Sequence, residues 1–305
     1  MRQNYQISEQ FPSQKEEEVL GFPVFARKDY WLLHLRAEKL LPIIIHNHNH
    51  EIIGFWCFYR EDKKLVSPFN APFFSPYFVE FDAKELLFKA VVDYCKLNFH
   101  LPVQITLKSD WNFKKLGDLV SSLKILKVEL GSHFNVSSNS FVNLIDKKRK
   151  KRKLNSLLAN NAYEIMQVEM AEWEDVYEQN LNWRKQKGHL NFISKEEMTK
   201  AKSQFPHTYH AFQLKKDGAL AGVAYFLKVD QNMIYVYSLI TSPSIDSEEP
   251  SLLLWKAIYD YAKVENSSTI DMGTSMLAKG RINKNLASYK KNIGGSHYKK
   301  YTFEC

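Results

Sequence analysis

The chain has 305 residues, 45% of them hydrophobic and 25% charged, a globular composition that excludes a disordered or low-complexity chain. Forty-two Lys and Arg against 34 Asp and Glu give a formal charge of +8, which favours an anionic partner (nucleic acid, phosphorylated metabolite or acidic membrane surface) without choosing among them. Cys57, Cys95 and Cys305 are too few and too scattered for a disulfide framework or a zinc site. No signal peptide is visible and no apolar run approaches the ~18 residues that span a bilayer, so a cytoplasmic protein is expected.

The first 18 residues are polar. Asp29 is placed to cap a helix from Tyr30 to Leu40, with Trp31, Leu32 and Leu35 on its buried side and Pro42 beyond its end. Two apolar runs, Pro42 to His46 and Glu51 to Tyr59, flank Asn-rich turn residues and predict a hairpin. Alternation would set His46, His48 and His50 on one face of a strand, but Asn47 and Asn49 mark a solvent-exposed turn and Glu51 points the other way. No metal site is expected there. Lys63 to Ser67 reads as a strand, followed by the proline- and aromatic-rich stretch 67–78, which cannot be helical. A helix capped by Asp82 spans Ala83 to Asn98, a strand Val103 to Leu107, a helix Phe113 to Leu123 and an extended segment Ile125 to Val136.

Phe141 to Asn160 reads as one helix carrying the basic block Lys147, Lys148, Arg149, Lys150, Lys151, Arg152 and Lys153. Such a run is either a solvated helical face or a polyanion patch. No aromatic residue interrupts it, which argues against base stacking. A second set of elements follows: strand Tyr163 to Val168, helices Trp173 to Lys187 and Lys195 to Gln204, and a hairpin of Tyr209 to Leu214 with Ala219 to Val229 across Lys216-Asp217-Gly218. Then come strand Met233 to Ile240 and a helix, Glu249 to Val264, opened by Pro250. The chain closes with a short strand ending at Asp271, a turn at Gly273, a helix through Asn292 with Ile282, Leu286, Tyr289 and Ile293 on one face, a Gly294-Gly295 stop and a last strand.

Hairpin, strand, loop, helix and strand thus occur twice. Ile52 matches Leu220, Ala83 matches Pro250 and Val103 matches Thr269, at offsets of 168, 167 and 166. This is repetition of elements and not of residues. The expected fold class is α/β (α+β), with domains at 1–145 and 161–305 joined by a basic helix over 146–160.

Asp271-x-Gly273 followed by Leu286-x-x-Tyr289-Lys290-x-x-x-Gly294-Gly295 resembles the closing segment of the FemAB-like, Fem-type peptidyltransferase branch of the GNAT superfamily, with Tyr289 in place of the usual Phe. The resemblance implies two tandem GNAT-like domains, each a mixed, mostly antiparallel sheet flanked by helices, and a Lys/Arg-rich helix at the passage between them. It implies transfer of an acyl or aminoacyl group to an amine, with acyl-CoA or aminoacyl-tRNA as donor and a cleft where the fourth strand of the later copy splays.

On that reading Asp271 and Lys290 are the catalytic candidates; Asp271 has capping of the following turn as its alternative role, Lys290 a helix-end charge. Trp183, Arg184, His189, Tyr237, Ser238, Gly273 and Tyr289 are the substrate-binding candidates, a solvated helix end being the alternative for 183–189. Lys147, Lys148, Arg149, Lys150, Lys151 and Arg152 are the candidates for tRNA or another polyanion. The GNAT pyrophosphate motif, Arg/Gln-x-x-Gly-x-Gly/Ala, has no match: the corresponding stretch, Ser242 to Pro250, contains no glycine and carries Asp246, Glu248 and Glu249. This departure favours an aminoacyl-tRNA donor. A different class of function, a non-catalytic GNAT-like module that binds an anionic polymer through its basic face, is the alternative. Nucleophile elbow, P-loop and zinc motifs are all missing from the sequence.

Overall fold

A computed structural model describes residues 5–34, 37–67, 77–78, 84–108, 123–137, 139–189, 193–277 and 280–305. The helix expected at Phe113 to Leu123, the Asp82 cap and most of the stretch 67–78 lie outside the described residues. Contacts divide the chain into a unit of 1–130, 276–282 and 298–305 and a unit of 131–275 and 283–297. A division at 145 and 161 follows the chain order. The contact boundaries at 130/131 and 297/298 fall inside the strands 124–135 and 296–304.

The first unit orders its strands β1 (Tyr5–Ser8), β2 (Leu40–Asn47), β3 (Ile52–Glu61), β4 (Lys64–Ser67), β6 (Val103–Lys108) and the end of β13 (Ser296–Glu304), with β5 (Tyr77–Phe78) beside β3. Helices α1 (Gln14–Val19), α2 (Lys28–His34) and α3 (Lys84–Phe99) accompany it. Phe88 of α3 packs on Trp56 of β3, whose indole N–H donates to Ser67 Oγ at 2.8 Å. Pro42 does not end a helix; it sits inside β2 opposite Cys57. Strand β1 reaches only Ile44 to Asn47, so Pro42 lies where β2 is an edge and its missing N–H costs no ladder bond. Asn47 builds the following turn: its Oδ1 accepts the N–H of Asn49 and Glu51 at 2.9 and 3.0 Å, and His50 takes φ 64°. His46 ends the paired part of β2, opposite Ile52, while His48 and His50 lie in the turn, and no group of three His, Cys, Asp or Glu able to hold a metal occurs among the described residues.

The second unit runs β8 (Tyr163–Gln167), β9 (Tyr209–Lys216), β10 (Ala219–Lys228), β11 (Met233–Thr241), β12 (Thr269–Thr274) and the end of β7 (Lys124–Asn135). Each unit pairs its fourth and fifth strands in parallel over three residues, Leu65 to Ser67 with Val103 to Ile105 and Met233 to Tyr235 with Thr269 to Asp271. The other neighbours in both sequences of strands are antiparallel. Both units are therefore mixed, mostly antiparallel sheets with helices.

The helix expected over 141–160 is two, α4 (Phe141–Leu144) and α5 (Lys148–Leu158), with Ile145 extended and buried between them. On one face of this unit's strands, Leu154 and Leu157 of α5 share a core with Leu254, Trp255 and Ile258 of α8 (Ser251–Val264) and with Val236 and Ile270. On the other face, Trp173 and Tyr177 of α6 (Trp173–Gln186) meet the Tyr225 ring edge-on, each at 5.0 Å. The helix α7 (Lys195–Gln204) opens on a capping box of Ser194 and Glu197. No helix among the described residues is long and apolar enough to cross a membrane.

Candidate functional site

The parallel ladder of β11 and β12 stops at Tyr235 and Asp271, although β11 continues to Thr241 and β12 to Thr274. Past that point the backbone of β12 needs other partners. Asp271 is fully buried and its Oδ1 accepts the Gly273 N–H at 2.8 Å, which turns the chain at Gly273, φ 71°. The carbonyls of Met272, Gly273 and Thr274 all accept from Lys290 Nζ, at 2.8, 2.9 and 3.1 Å. One buried ammonium thus spends its three hydrogens on three consecutive carbonyls. Burial lowers the Lys290 pKa to about 8, against the upward pull of the Asp271 charge.

Lys290 reaches this position from α9 (Lys284–Asn292), which begins at Asn283, whose side chain accepts the Leu286 N–H. Ile282 precedes the helix and is half-exposed, so it does not share the buried face with Tyr289 and Ile293. The two glycines that stop α9 are required by close packing as well as by conformation. A Cβ on Gly294 would lie 2.4 Å from the Leu144 carbonyl oxygen, and one on Gly295 2.7 Å from that of Lys290. Gly294 also takes φ 97°.

Across β11, the register with β10 shifts so that Tyr225 faces Ser238 while Phe226 faces Val236. Tyr237 is the extra residue of a β-bulge. Simple alternation sets Tyr235 and Tyr237 on one face and Ser238 on the other. The bulge re-aims the strand, and Ser238, opposite Tyr225, joins Tyr235 on the α6 face. There the Ser238 oxygen accepts from Arg184 Nη1 at 2.7 Å and its hydroxyl donates to Asn180 Oδ1 at 2.8 Å. Tyr237 Oη accepts the Ile193 N–H at 3.1 Å, and Tyr177 Oη donates to the Ile193 carbonyl at 2.9 Å. Two tyrosines therefore hold both backbone groups of one residue at the approach to α7.

The charge in this cluster is positive. Burial lowers the Arg184 pKa, offset by Tyr237, Tyr177 and Tyr235 around it, and a guanidinium stays protonated even so. His189 titrates below its ordinary value because of partial desolvation by its neighbours and the nearby charges of Arg184 and Lys187. Burial also raises the Tyr177 hydroxyl far above its usual range, so it is a donor throughout the physiological range.

Of the expected substrate-binding residues, Arg184, Tyr237 and Ser238 are thus gathered at the unpaired stretch of β11. Gly273 lies at the matching stretch of β12, where an added Cβ would come within 3.6 Å of the Tyr235 hydroxyl. His189 is exposed at the end of α6, its N–H bonded to the Arg184 carbonyl. Trp183 is buried with Val176 and Tyr177 on the core side of α6. Tyr289 lies on the opposite face of the sheet, its hydroxyl 2.8 Å from Ser251 Oγ at the start of α8. Beside it, Glu249 (φ 55°) pairs with Lys150 at 2.5 Å, and Lys150 Nζ stands 5.5 Å from the Tyr289 ring centroid. A carboxylate thus already occupies the approach to a helix start that would otherwise favour phosphate. Lys147, Lys148, Arg149 and Arg152 are exposed, and Lys151 is half-exposed.

Asn180 and Tyr177 were not foreseen. The signal for Asn180 was present: it is the polar member of a stripe, Trp173, Val176, Tyr177, Asn180 and Trp183, at helical spacing.

No protein-family model matches the sequence, and no curated protein matches it. Solved structures do. The crystal structure of FemX is similar over 97% of this chain and 96% of its own, with a TM-score of 0.69 at 11% identity. L-PGS from Bacillus licheniformis is similar over 97% and 92%, at 0.61 and 12%. A tandem GNAT protein from the clavulanic acid biosynthesis pathway is similar over 98% and 97%, at 0.54 and 11%. At such identities the likeness is one of fold: the chain has a tandem GNAT-like fold similar to that of FemX.

Proposed function

We propose that the protein is an N-acyltransferase that passes an acyl or aminoacyl group to an amine, with its cleft in the C-terminal half where β11 and β12 part. The amine nitrogen attacks the acyl carbonyl, the carbonyl oxygen carries the developing negative charge, and the leaving group departs with the proton the amine gives up. Such a step needs donors aimed at an oxyanion and a seat for the amine, and no covalent enzyme intermediate. The observation that carries the reading is the end of the parallel ladder at Tyr235 and Asp271, with Arg184, Ser238 and Tyr237 grouped along the stretch of β11 that no longer pairs with β12.

Asp271 and Lys290 are proposed to act through position. Their hydrogen bonds hold the turn and carbonyls of β12, which keeps the strand end parted from β11. The Glu249–Lys150 pair at the start of α8 supports a donor other than one seated by its pyrophosphate there, and aminoacyl-tRNA is the proposed class. The second reading, a non-catalytic module for an anionic polymer, is favoured by the exposed cations Lys147, Lys148, Arg149 and Arg152. Thermal unfolding with coenzyme A, acyl-CoA and charged tRNA separates the two. The transferase reading predicts stabilisation by an acylated donor beyond that by its deacylated form. Equal stabilisation by charged and uncharged tRNA, abolished by modest salt, would replace it with the polymer-binding one.

A further inference from the structure

On the α6 face of β11 a buried polar chain ends in an unused donor. Asn180 is 1% exposed and Ser238 3%. Arg184 can only donate, so the Ser238 oxygen accepts from it at 2.7 Å and the serine proton goes to Asn180 Oδ1 at 2.8 Å. This order fixes the carboxamide: its oxygen is consumed, and Nδ2, the end turned away from Ser238, is buried with no partner among the described residues. A buried donor without an acceptor is destabilising. The cost falls beside the unpaired stretch of β11, three residues past the last pairing with β12.

We infer that Asn180 Nδ2, backed by Ser238 and Arg184, is the reading end of a carboxylate site. A donor is left over, so the missing group is an acceptor. The guanidinium two hydrogen bonds away polarises the chain towards Nδ2, and a cationic source favours an anionic acceptor over a neutral carbonyl. Resting on the transferase reading, the amine-bearing substrate then carries a carboxylate, held by Asn180 while its amine faces the acyl group.

The test uses the full-length protein and three probes: acetate, its neutral counterpart acetamide, and methylammonium. The side-chain NH2 signals of 15N-labelled protein are titrated, Asn180 being assigned by the pair missing from Asn180→Asp. The inference predicts a saturable shift of the Asn180 pair with acetate, none with methylammonium, and weaker binding of acetamide. By calorimetry, acetate affinity falls about tenfold or more in Asn180→Asp, the worth of a hydrogen bond to a charged group. Asn180→Leu, which removes the unused donor, folds and loses the acetate response as well, and it decides the matter if the aspartate variant does not fold. No acetate binding to the wild type, equal binding of acetate and acetamide, or unchanged acetate binding in Asn180→Leu would each overturn the site. These are binding measurements, so their failure leaves turnover, the test of the transferase reading, standing by itself.

Discussion

Lys290→Met removes one ammonium and leaves the carbonyls of Met272, Gly273 and Thr274 without the donor that now serves all three. Losing three hydrogen bonds from a charged donor, offset by no longer burying the charge, amounts to a loss of about 3 kcal/mol at neutral pH. The pH dependence is more diagnostic than the size. The folded-state pKa is about 8, against an ordinary 10.5, and burial is the main cause. Between those values the unfolded chain binds a proton that the folded protein has released. Stability due to this group therefore rises with pH across the window, by up to about 3 kcal/mol in all. Methionine does not titrate, so the wild-type advantage over Lys290→Met widens from pH 8 to pH 10. Urea unfolding of both proteins at several pH values measures it, with the slope m as a check that the unfolded state is unchanged. An advantage that shrinks as pH rises would refute the reasoning, since it would mean that the Asp271 charge outweighs burial.

Gly294→Ala places a methyl 2.4 Å from the Leu144 carbonyl oxygen at φ 97° and is expected to lower stability by about 3 kcal/mol or more, read as a drop in unfolding midpoint. Tyr237→Phe removes the acceptor of the Ile193 N–H at a cost of about 1–2 kcal/mol; limited proteolysis should then cut faster between α6 and α7 than in the wild type. The triple variant Lys148→Glu, Arg149→Glu and Arg152→Glu should abolish retention on heparin at low salt. It should keep or slightly raise thermal stability, because acids suit the first turns of α5 and cations do not.

Local chemistry was readable where one segment decides its own conformation. Asp217-Gly218 takes φ 50° and 79°, as a two-residue hairpin turn demands, and Ser194 with Glu197 caps α7. The offsets of 166 to 168 between the halves correspond to two parallel strand pairs of equal length. Unreadable features depend on a distant partner. The bulge at Tyr237 exists only against Tyr225 and Phe226 of β10, and without it Ser238 falls on the wrong face. Pro42 is acceptable in β2 only because β1 is short. The break at Ile145 occurs beside the Leu144 carbonyl, against which Gly294 packs, a contact between residues far apart in sequence. The last strand reads naturally as part of the second half, yet Lys300 to Glu304 pair with β6 of the first unit, and nothing local in those residues names that partner.

The most direct test of the account is the mass of the product. Pools of primary amines, with and without a carboxylate, are incubated with the protein and either acyl-CoA or aminoacyl-tRNA, and the acceptors are weighed by mass spectrometry. The account predicts that one acyl group replaces one hydrogen on an amine, and that Arg184→Gln, folded by circular dichroism, abolishes the gain. No mass gain from either donor, or a gain undiminished in Arg184→Gln, would contradict it.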